Sequence, residues 1–170
     1  MDASVLPGLV EITLRSVFVS ASAVLLACLA AIPLGAWLAV TQFKGKRLVI
    51  AVLNALMGLP PVVVGLVFYL LLSRSGPLGV LGLLFTPWAM ILAQIVIVLP
   101  LVASLSHQAL RSLWEEYAPL LASLRATRRQ AVWILIQDGR RALLTAGLAG
   151  FGRAIGEVGA IWIVGGKIGH

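Results

Sequence analysis

The length of the apolar runs constrains this chain more than any other feature. Val17–Val40 carries no charged side chain, and comparable runs follow at Leu48–Leu72, Trp88–Leu105 and Leu143–Val164. The hydrocarbon core of a bilayer is about 30 Å thick and a helix rises about 1.5 Å per residue, so roughly 20 apolar residues cross it. The runs therefore predict an all-α polytopic membrane protein with four spans, forming a single transmembrane domain over residues 1–170.

Composition agrees with this class and limits the partners of the chain. Hydrophobic residues make up 61% of it and charged residues 11%, with a mean hydropathy of +1.06, as in multispanning proteins. A net charge of +7 is also found in nucleic-acid-binding proteins, but here nine of the thirteen Lys and Arg residues lie in Lys44–Arg47 and Arg111–Arg141. Positive charge in inter-span loops predicts that these loops are cytoplasmic. Both termini then lie outside, and we expect no nucleic-acid partner.

The second run is interrupted in its middle by Gly58-Leu59-Pro60-Pro61 and again by Gly65. Two adjacent prolines remove two backbone donors from a helix. Irregular backbone at membrane depth persists only where it is buried in protein or lines a cavity. The prolines therefore predict either a kink that serves packing or a segment that lines a pore.

The last run contains both small residues and charges. Gly152 and Gly156 have the spacing that lets another helix approach closely. Arg153 and Glu157 are also four residues apart, so they share one helical face and can form an ion pair. Such a pair inside a span either ties helices together or contacts a ligand.

Catalytic and metal sites are not predicted. Cys28 is the only cysteine, and His107 and His170 lie far apart without a cluster of carboxylates. The glycines of Gly150–Gly156 do not have dinucleotide-binding spacing, and no GxxxxGK[ST] phosphate loop occurs. We expect no catalytic residue, no metal and no cofactor bound by this chain itself.

A polar island, His107–Arg141, separates the last two runs and holds six arginines and three acidic residues. Its first part, Ser106–Trp114, is expected to continue the third helix out of the membrane. Pro119 is expected to begin a new helical segment, and Thr127 with Gln130 fits a capping box that starts another. The apolar residues of the two helices are Leu120, Leu121 and Leu124 in the first, and Ala131, Ile134 and Leu135 in the second.

Two interpretations of this island remain open at this point. An amphipathic hairpin with one apolar and one basic face can rest on anionic lipid. The same hairpin, joined near Arg125-Ala126, can also be a docking element for a cytosolic partner.

Three stretches together resemble a known family. The island resembles the EAA coupling loop of binding-protein-dependent ABC importer permeases. The stretches GLPPVVVGL (Gly58–Leu66) and GFGRAIGEVGAIWIVGGKI (Gly150–Ile168) are similar to the tungstate, molybdate and sulfate group of these permeases. The second of them is closest to the tungstate type. The resemblance implies a type I ABC importer permease-like helical bundle.

The chain departs from the family pattern at named positions. The family glycine falls at Arg125, where a left-handed backbone is unfavourable for a bulky residue. The acidic position of the family falls at Ala118, with Glu115 and Glu116 upstream and Pro119 following. The family has one more span after its Gly-Glu region. The resemblance therefore implies that this last helix is missing from the chain, whose sequence reaches His170 without it.

The resemblance also implies a function and partners. The chain would be the permease subunit of an ATP-driven importer for an oxyanion, in the plasma (inner) membrane of a prokaryote, as a homodimer. ATP would be bound by a cytosolic ATPase on each coupling loop, and a periplasmic or extracellular protein would deliver the anion. The residues implied in coupling are Glu115, Glu116, Ala118, Leu121, Leu124, Arg125, Ala126, Thr127 and Gln130. Those implied in the translocation path or its gate are Pro60, Pro61, Arg153 and Glu157.

The alternatives are a permease for molybdate or sulfate and a non-transporting or degenerate membrane interaction protein.

Overall fold

The computed structural model describes residues 5–157, and every regular element in this range is helical. The predicted all-α class is therefore confirmed. The elements are α1 (Val5–Val40), α2 (Lys46–Met57), α3 (Pro61–Leu72), a short 3-10 helix (Gly79–Leu81), α4 (Pro87–Ser123), α5 (Arg128–Asp138) and α6 (Arg140–Gly156).

Helices α1 and α4 lie side by side and form the centre of the bundle. Near one end, Gln94 Nε2 donates to Ser20 Oγ at 3.1 Å. Near the other end, a Cβ atom placed on Gly35 would lie 2.8 Å from the carbonyl oxygen of Ala103. The two helices therefore run parallel, and glycine at position 35 allows their backbones to approach closely. The segment between them must carry the chain back from the end of α1 to the start of α4.

That returning segment is broken where the sequence predicts an interruption. Helices α2 and α3 meet at an angle of 97°, with Gly58, Leu59 and Pro60 between them. Pro61 takes the first helical position of α3, where a missing N–H costs no intrahelical bond. Gly65 lies inside α3 and does not interrupt it. The predicted interruption at Gly58–Pro60 is confirmed, whereas the one at Gly65 was wrong.

Helix α6 packs antiparallel to α4. A Cβ atom on Gly150 would lie 2.8 Å from Val102 Cγ2 and 3.0 Å from Val98 Cγ1. Gly152 and Gly156 have nothing within 4 Å of such an atom. Within the described chain the close approach therefore uses Gly150, not the predicted pair, because Gly150 lies on the buried face of α6.

Within residues 5–157, two helices are long and apolar enough to cross a membrane, namely Thr13–Val40 and Pro87–Ser123, and the bent α2–α3 pair makes a third if it counts as one span. Residues 158–164 of the fourth predicted run lie outside the described range. Helix α4 has 37 residues, or about 55 Å, which exceeds the thickness of the hydrocarbon core by about 25 Å. Its last part therefore projects beyond the membrane, as predicted for Ser106–Trp114.

The prediction that Pro119 begins a new helical segment was wrong. Helix α4 continues through Pro119 to Ser123. A proline inside a helix leaves the carbonyl four residues earlier without its donor, here that of Glu115. Glu115 is exposed, so water can hydrate that carbonyl and the helix continues.

Gly35→Ala is expected to destabilise the bundle by about 1–3 kcal/mol, because the added methyl group would collide with the α4 backbone. The matched control is Gly152→Ala, whose methyl group points into open space. Thermal unfolding of the purified proteins in detergent measures both. An equal unfolding temperature for the two variants would contradict the close packing of α1 on α4.

Candidate functional site

The projecting end of α4, the following turn and α5 form a helical hairpin, Arg111–Asp138, which we call the basic hairpin. Helix α4 ends at Ser123 and α5 begins at Arg128. The predicted joint near Arg125-Ala126 is confirmed, although the first arm is the end of a long helix and not a separate short one.

The turn after α4 closes with a Schellman motif. Ala126 N–H donates to the carbonyl of Leu121 at 2.9 Å, and Arg125 N–H donates to that of Ala122 at 3.0 Å. This pattern requires a left-handed residue after the helix end, which is usually glycine. Arg125 occupies that place with φ of 50°. The left-handed backbone is thus present where the family has glycine, at a cost of about 1–2 kcal/mol for a residue with a Cβ atom.

The start of α5 is fixed by the predicted capping box. Thr127 N–H donates to Gln130 Oε1 at 2.8 Å, and Gln130 N–H donates to Thr127 Oγ1 at 3.4 Å. The prediction is confirmed. Because the helix on each side of the turn is capped, residues 124–127 form a defined joint between the two arms.

A second connection joins the two arms away from the turn. Tyr117 Oη donates a hydrogen bond to Asp138 Oδ2. This bond, together with the negative charge of Asp138, raises the pKa of the Tyr117 phenol. Sequence reasoning missed this pair, since nothing in the local pattern links residues 21 positions apart.

The inner face of the basic hairpin packs against the bundle. Leu121, Ala131 and Leu135 are buried in one cluster with Leu110. Gly139 makes the packing possible, because a Cβ atom there would lie 2.4 Å from Leu110 Cδ2. The hairpin is therefore held against the base of α4.

The outer face of the basic hairpin exposes large apolar side chains. Leu120, Leu124 and Trp133 are 59%, 68% and 62% exposed. Of the predicted apolar residues Leu120, Leu121 and Leu124, only Leu121 packs inward. The charged and polar residues Arg125, Arg128, Arg129 and Gln130 are also exposed. The exposed surface of the basic hairpin therefore combines large apolar side chains with cations.

The remaining predicted coupling residues lie on the first arm and at the joint. Glu115 Oε1 accepts from Arg111 Nε at 2.9 Å, and Glu116 is exposed. Ala118 and Ala126 are half-buried. The structure thus brings all nine predicted coupling residues into one hairpin.

The residues predicted for the path lie on two other elements. Pro60 and Pro61 form the start of α3 at the bend. Arg153 Nη2 and Glu157 Oε1 lie 3.0 Å apart at the end of α6, with side chains 27% and 20% exposed. The predicted ion pair is therefore formed.

Buried polar side chains that sequence reasoning missed connect the spans. Gln94 is 2% exposed and joins three helices, because its Nε2 donates to Ser20 Oγ and to the carbonyl of Ala154 at 3.2 Å. Ser104 Oγ donates to Asn54 Oδ1 at 2.6 Å and so joins α4 to α2. A polar residue inside an apolar run was the available signal for both.

Metal ligands do not come together in the part of the chain that the structure describes. No group of three or more His, Cys, Asp or Glu side chains is placed to hold an ion between residues 5 and 157.

A bundle that contains helices long and apolar enough to cross a membrane is the fold of a membrane protein. The chain belongs to the family of binding-protein-dependent transport system inner membrane components, whose model matches residues 31–170. It is therefore a multi-pass protein of the inner membrane.

Three relatives show where in this family the chain lies. It is 42% identical to a protein of Haloferax volcanii named "Probable anion ABC transporter permease protein", over 94% of this chain and 69% of the relative. It is 41% identical to the tungstate uptake system permease protein TupB of Peptoclostridium acidaminophilum, over 96% of this chain and 72% of that protein. The protein of the same name from Campylobacter jejuni is 36% identical, over 75% and 53%.

Arg125→Gly is expected to stabilise the hairpin turn by about 1 kcal/mol, because glycine adopts a left-handed backbone without strain. The Ala126 amide donates to the carbonyl of Leu121 in the Schellman motif. Its hydrogen exchange should then slow about fivefold.

The matched control for this change is Arg129→Gly, which removes the same charge from a helical residue two positions into α5. Glycine inside a helix destabilises it, so this variant should not slow exchange. Faster exchange of Ala126 in Arg125→Gly would contradict the assignment of strain to Arg125.

Proposed function

We propose that this chain is the permease subunit of an ATP-driven importer for an oxyanion, with tungstate as the substrate. The observation that carries the proposal is the basic hairpin, which exposes large apolar side chains among cations on a chain of this family. The tungstate and anion names of the relatives support the substrate class.

The hairpin is proposed to dock on a cytosolic ATPase. Exposed leucine and tryptophan side chains in water favour burial in a partner, so Leu120, Leu124 and Trp133 would be buried against apolar surface of the ATPase. The surrounding arginines would meet acidic residues and steer association.

The other coupling residues have supporting parts in this proposal. Leu121 anchors the first arm to the bundle. Arg125, Ala126, Thr127 and Gln130 set the angle at the joint through the hydrogen bonds described above. Glu115, Glu116 and Ala118 lie on the first arm, which is continuous with the spanning part of α4. A displacement of the hairpin by the ATPase would therefore move α4.

The path is proposed to run beside the α2–α3 bend in a homodimer. Neither of these helices, at 12 residues each or about 18 Å, crosses the hydrocarbon core alone, so the irregular backbone at Pro60 and Pro61 lies at membrane depth. Such backbone is stable where protein or water covers it. The parallel course of α1 and α4 supports counting α2–α3 as one crossing. The antiparallel packing of α6 on α4 supports a fourth crossing that begins with α6.

Arg153 and Glu157 are proposed to act at the gate. Paired with each other they present little net charge to a passing anion. If a rocking motion separated them, the guanidinium of Arg153 would be available to an oxyanion. The substrate would reach this point from an external binding protein, and ATP hydrolysis would take place in the partner ATPase.

Leu124→Glu is the test of the docking surface, because a carboxylate buried against apolar surface should abolish docking while leaving the exposed position folded. Co-purification with the cognate ATPase and ATP-dependent uptake of tungstate should both fall at least tenfold. Uptake of molybdate and sulfate is measured beside uptake of tungstate, in a deletion strain to which the intact chain has been restored.

The matched control is Gln137→Glu, which introduces the same carboxylate at an exposed polar position on the second arm of the basic hairpin. It should leave co-purification unchanged. Full binding of the ATPase by Leu124→Glu would contradict the docking surface, and uptake of molybdate or sulfate in preference to tungstate would contradict the substrate.

A further inference from the structure

A second cluster of cations lies where α1 ends and α2 begins. We call Lys44, Lys46, Arg47 and Arg111 the α1–α2 basic cluster. Lys46 Nζ donates to the carbonyl of Thr41 at 2.9 Å, which uses one of the three donors of its ammonium group. Arg111 bonds Glu115 through Nε, which leaves the Nη donors of its guanidinium. Both side chains therefore keep hydrogen-bond donors for an anion.

The register of α2 against α4 brings Lys46 and Arg111 to the same level. The two helices run antiparallel and are joined by the hydrogen bond between Ser104 and Asn54. Lys46 lies eight residues from Asn54, or about 12 Å, and Arg111 lies seven residues from Ser104, or about 10 Å.

Little negative charge compensates this cluster. Between residues 5 and 157 no carboxylate forms an ion pair with Lys44, Lys46 or Arg47, and the one acidic partner of the cluster is Glu115 beside Arg111. The cluster therefore keeps a net positive charge.

Aromatic side chains mark the depth of the cluster. The rings of Trp37 and Phe43 stack with their centroids 5.2 Å apart, and both side chains are partly exposed. Tryptophan, here Trp37 with Phe43 stacked on it, collects at the level of lipid headgroups. Lys46, three residues after Phe43, therefore lies at headgroup level, where the phosphate groups of lipids are found.

An apolar stripe continues from the cluster into the membrane. Leu48, Val52 and Leu56 follow one another at four-residue spacing on α2 and are 68%, 48% and 36% exposed. Cations at one end of an exposed apolar stripe match an amphiphile with an anionic head and an acyl chain. A soluble oxyanion would make no use of the stripe.

We propose that the α1–α2 basic cluster binds the phosphate group of an anionic membrane lipid, whose acyl chain lies along Leu48, Val52 and Leu56. The lipid would join the start of α2 to α4 just where the basic hairpin leaves the membrane. This site shares only Arg111 with the basic hairpin and lies apart from the proposed docking residues Leu120, Leu124 and Trp133, which are farther along α4 and on α5.

Native mass spectrometry of the full chain in mild detergent, titrated with phosphatidylglycerol, tests the proposal. Each cation near an anionic lipid contributes about fivefold to binding, so Lys46→Gln with Arg111→Gln should weaken it about 25-fold. The charge-retaining pair Lys46→Arg with Arg111→Lys should keep the affinity for phosphatidylglycerol within about threefold. This control would show that substitution at the two positions does not by itself abolish binding. Arg74→Gln, which removes an exposed cation from the opposite end of the bundle, should have no effect.

Two further measurements distinguish the phosphate group of a lipid from a free anion. Phosphatidylcholine should bind weakly, and inorganic phosphate or tungstate at millimolar concentration should not displace phosphatidylglycerol. Equal binding of the glutamine pair and the intact chain would overturn the proposal. Displacement by tungstate would overturn it as well, since the ligand would then be a soluble oxyanion.

Discussion

The contact between α1 and α4 is the constraint on which the rest of the structure depends. Because Gly35 lacks a side chain, the two backbones meet closely, and because the helices run parallel, the intervening chain must return across the membrane. That return contains the 97° bend at Gly58–Pro60. Gln94 then ties α6 to the same pair of helices through the carbonyl of Ala154. The α1–α4 contact thus positions both the α2–α3 bend and α6, the two elements to which we assign the path.

The same contact supports the basic hairpin. Helix α4 is continuous from the α1 contact to Ser123, so a force on the hairpin reaches the membrane through a single helix. The joint to α5 is closed by hydrogen bonds on each side, and Tyr117 holds the second arm against the first through Asp138. A hairpin tied at both ends moves as one body. This property suits an element that transmits motion from a soluble subunit.

Features governed by local chemistry could be predicted from the sequence. The end of α1 at Val40, the break before Pro61 and the capping box of Thr127 each depend on a few neighbouring residues, and each was found. The resemblance to a family aligned the family glycine with Arg125, where a left-handed backbone was expected to be unfavourable, and the structure has that backbone there.

Features governed by tertiary packing could not be predicted in the same way. The choice of Gly150 over Gly152 for close packing depends on how α6 is rotated about its axis. The continuation of α4 through Pro119 depends on solvent reaching the Glu115 carbonyl. The partners of Gln94 are 60 and 74 residues away in the sequence, and no local pattern relates them.

The ratio of tungstate imported to ATP hydrolysed is the measurement that tests the account most directly. It is determined in proteoliposomes that contain this chain, its ATPase and its binding protein, with Tyr117→Phe compared with the intact chain. The substitution removes only the hydroxyl that bonds Asp138. If the hairpin transmits motion as one body, ATP hydrolysis should persist while the ratio falls severalfold. An unchanged ratio would contradict the central claim that the tied hairpin couples the ATPase to the spans.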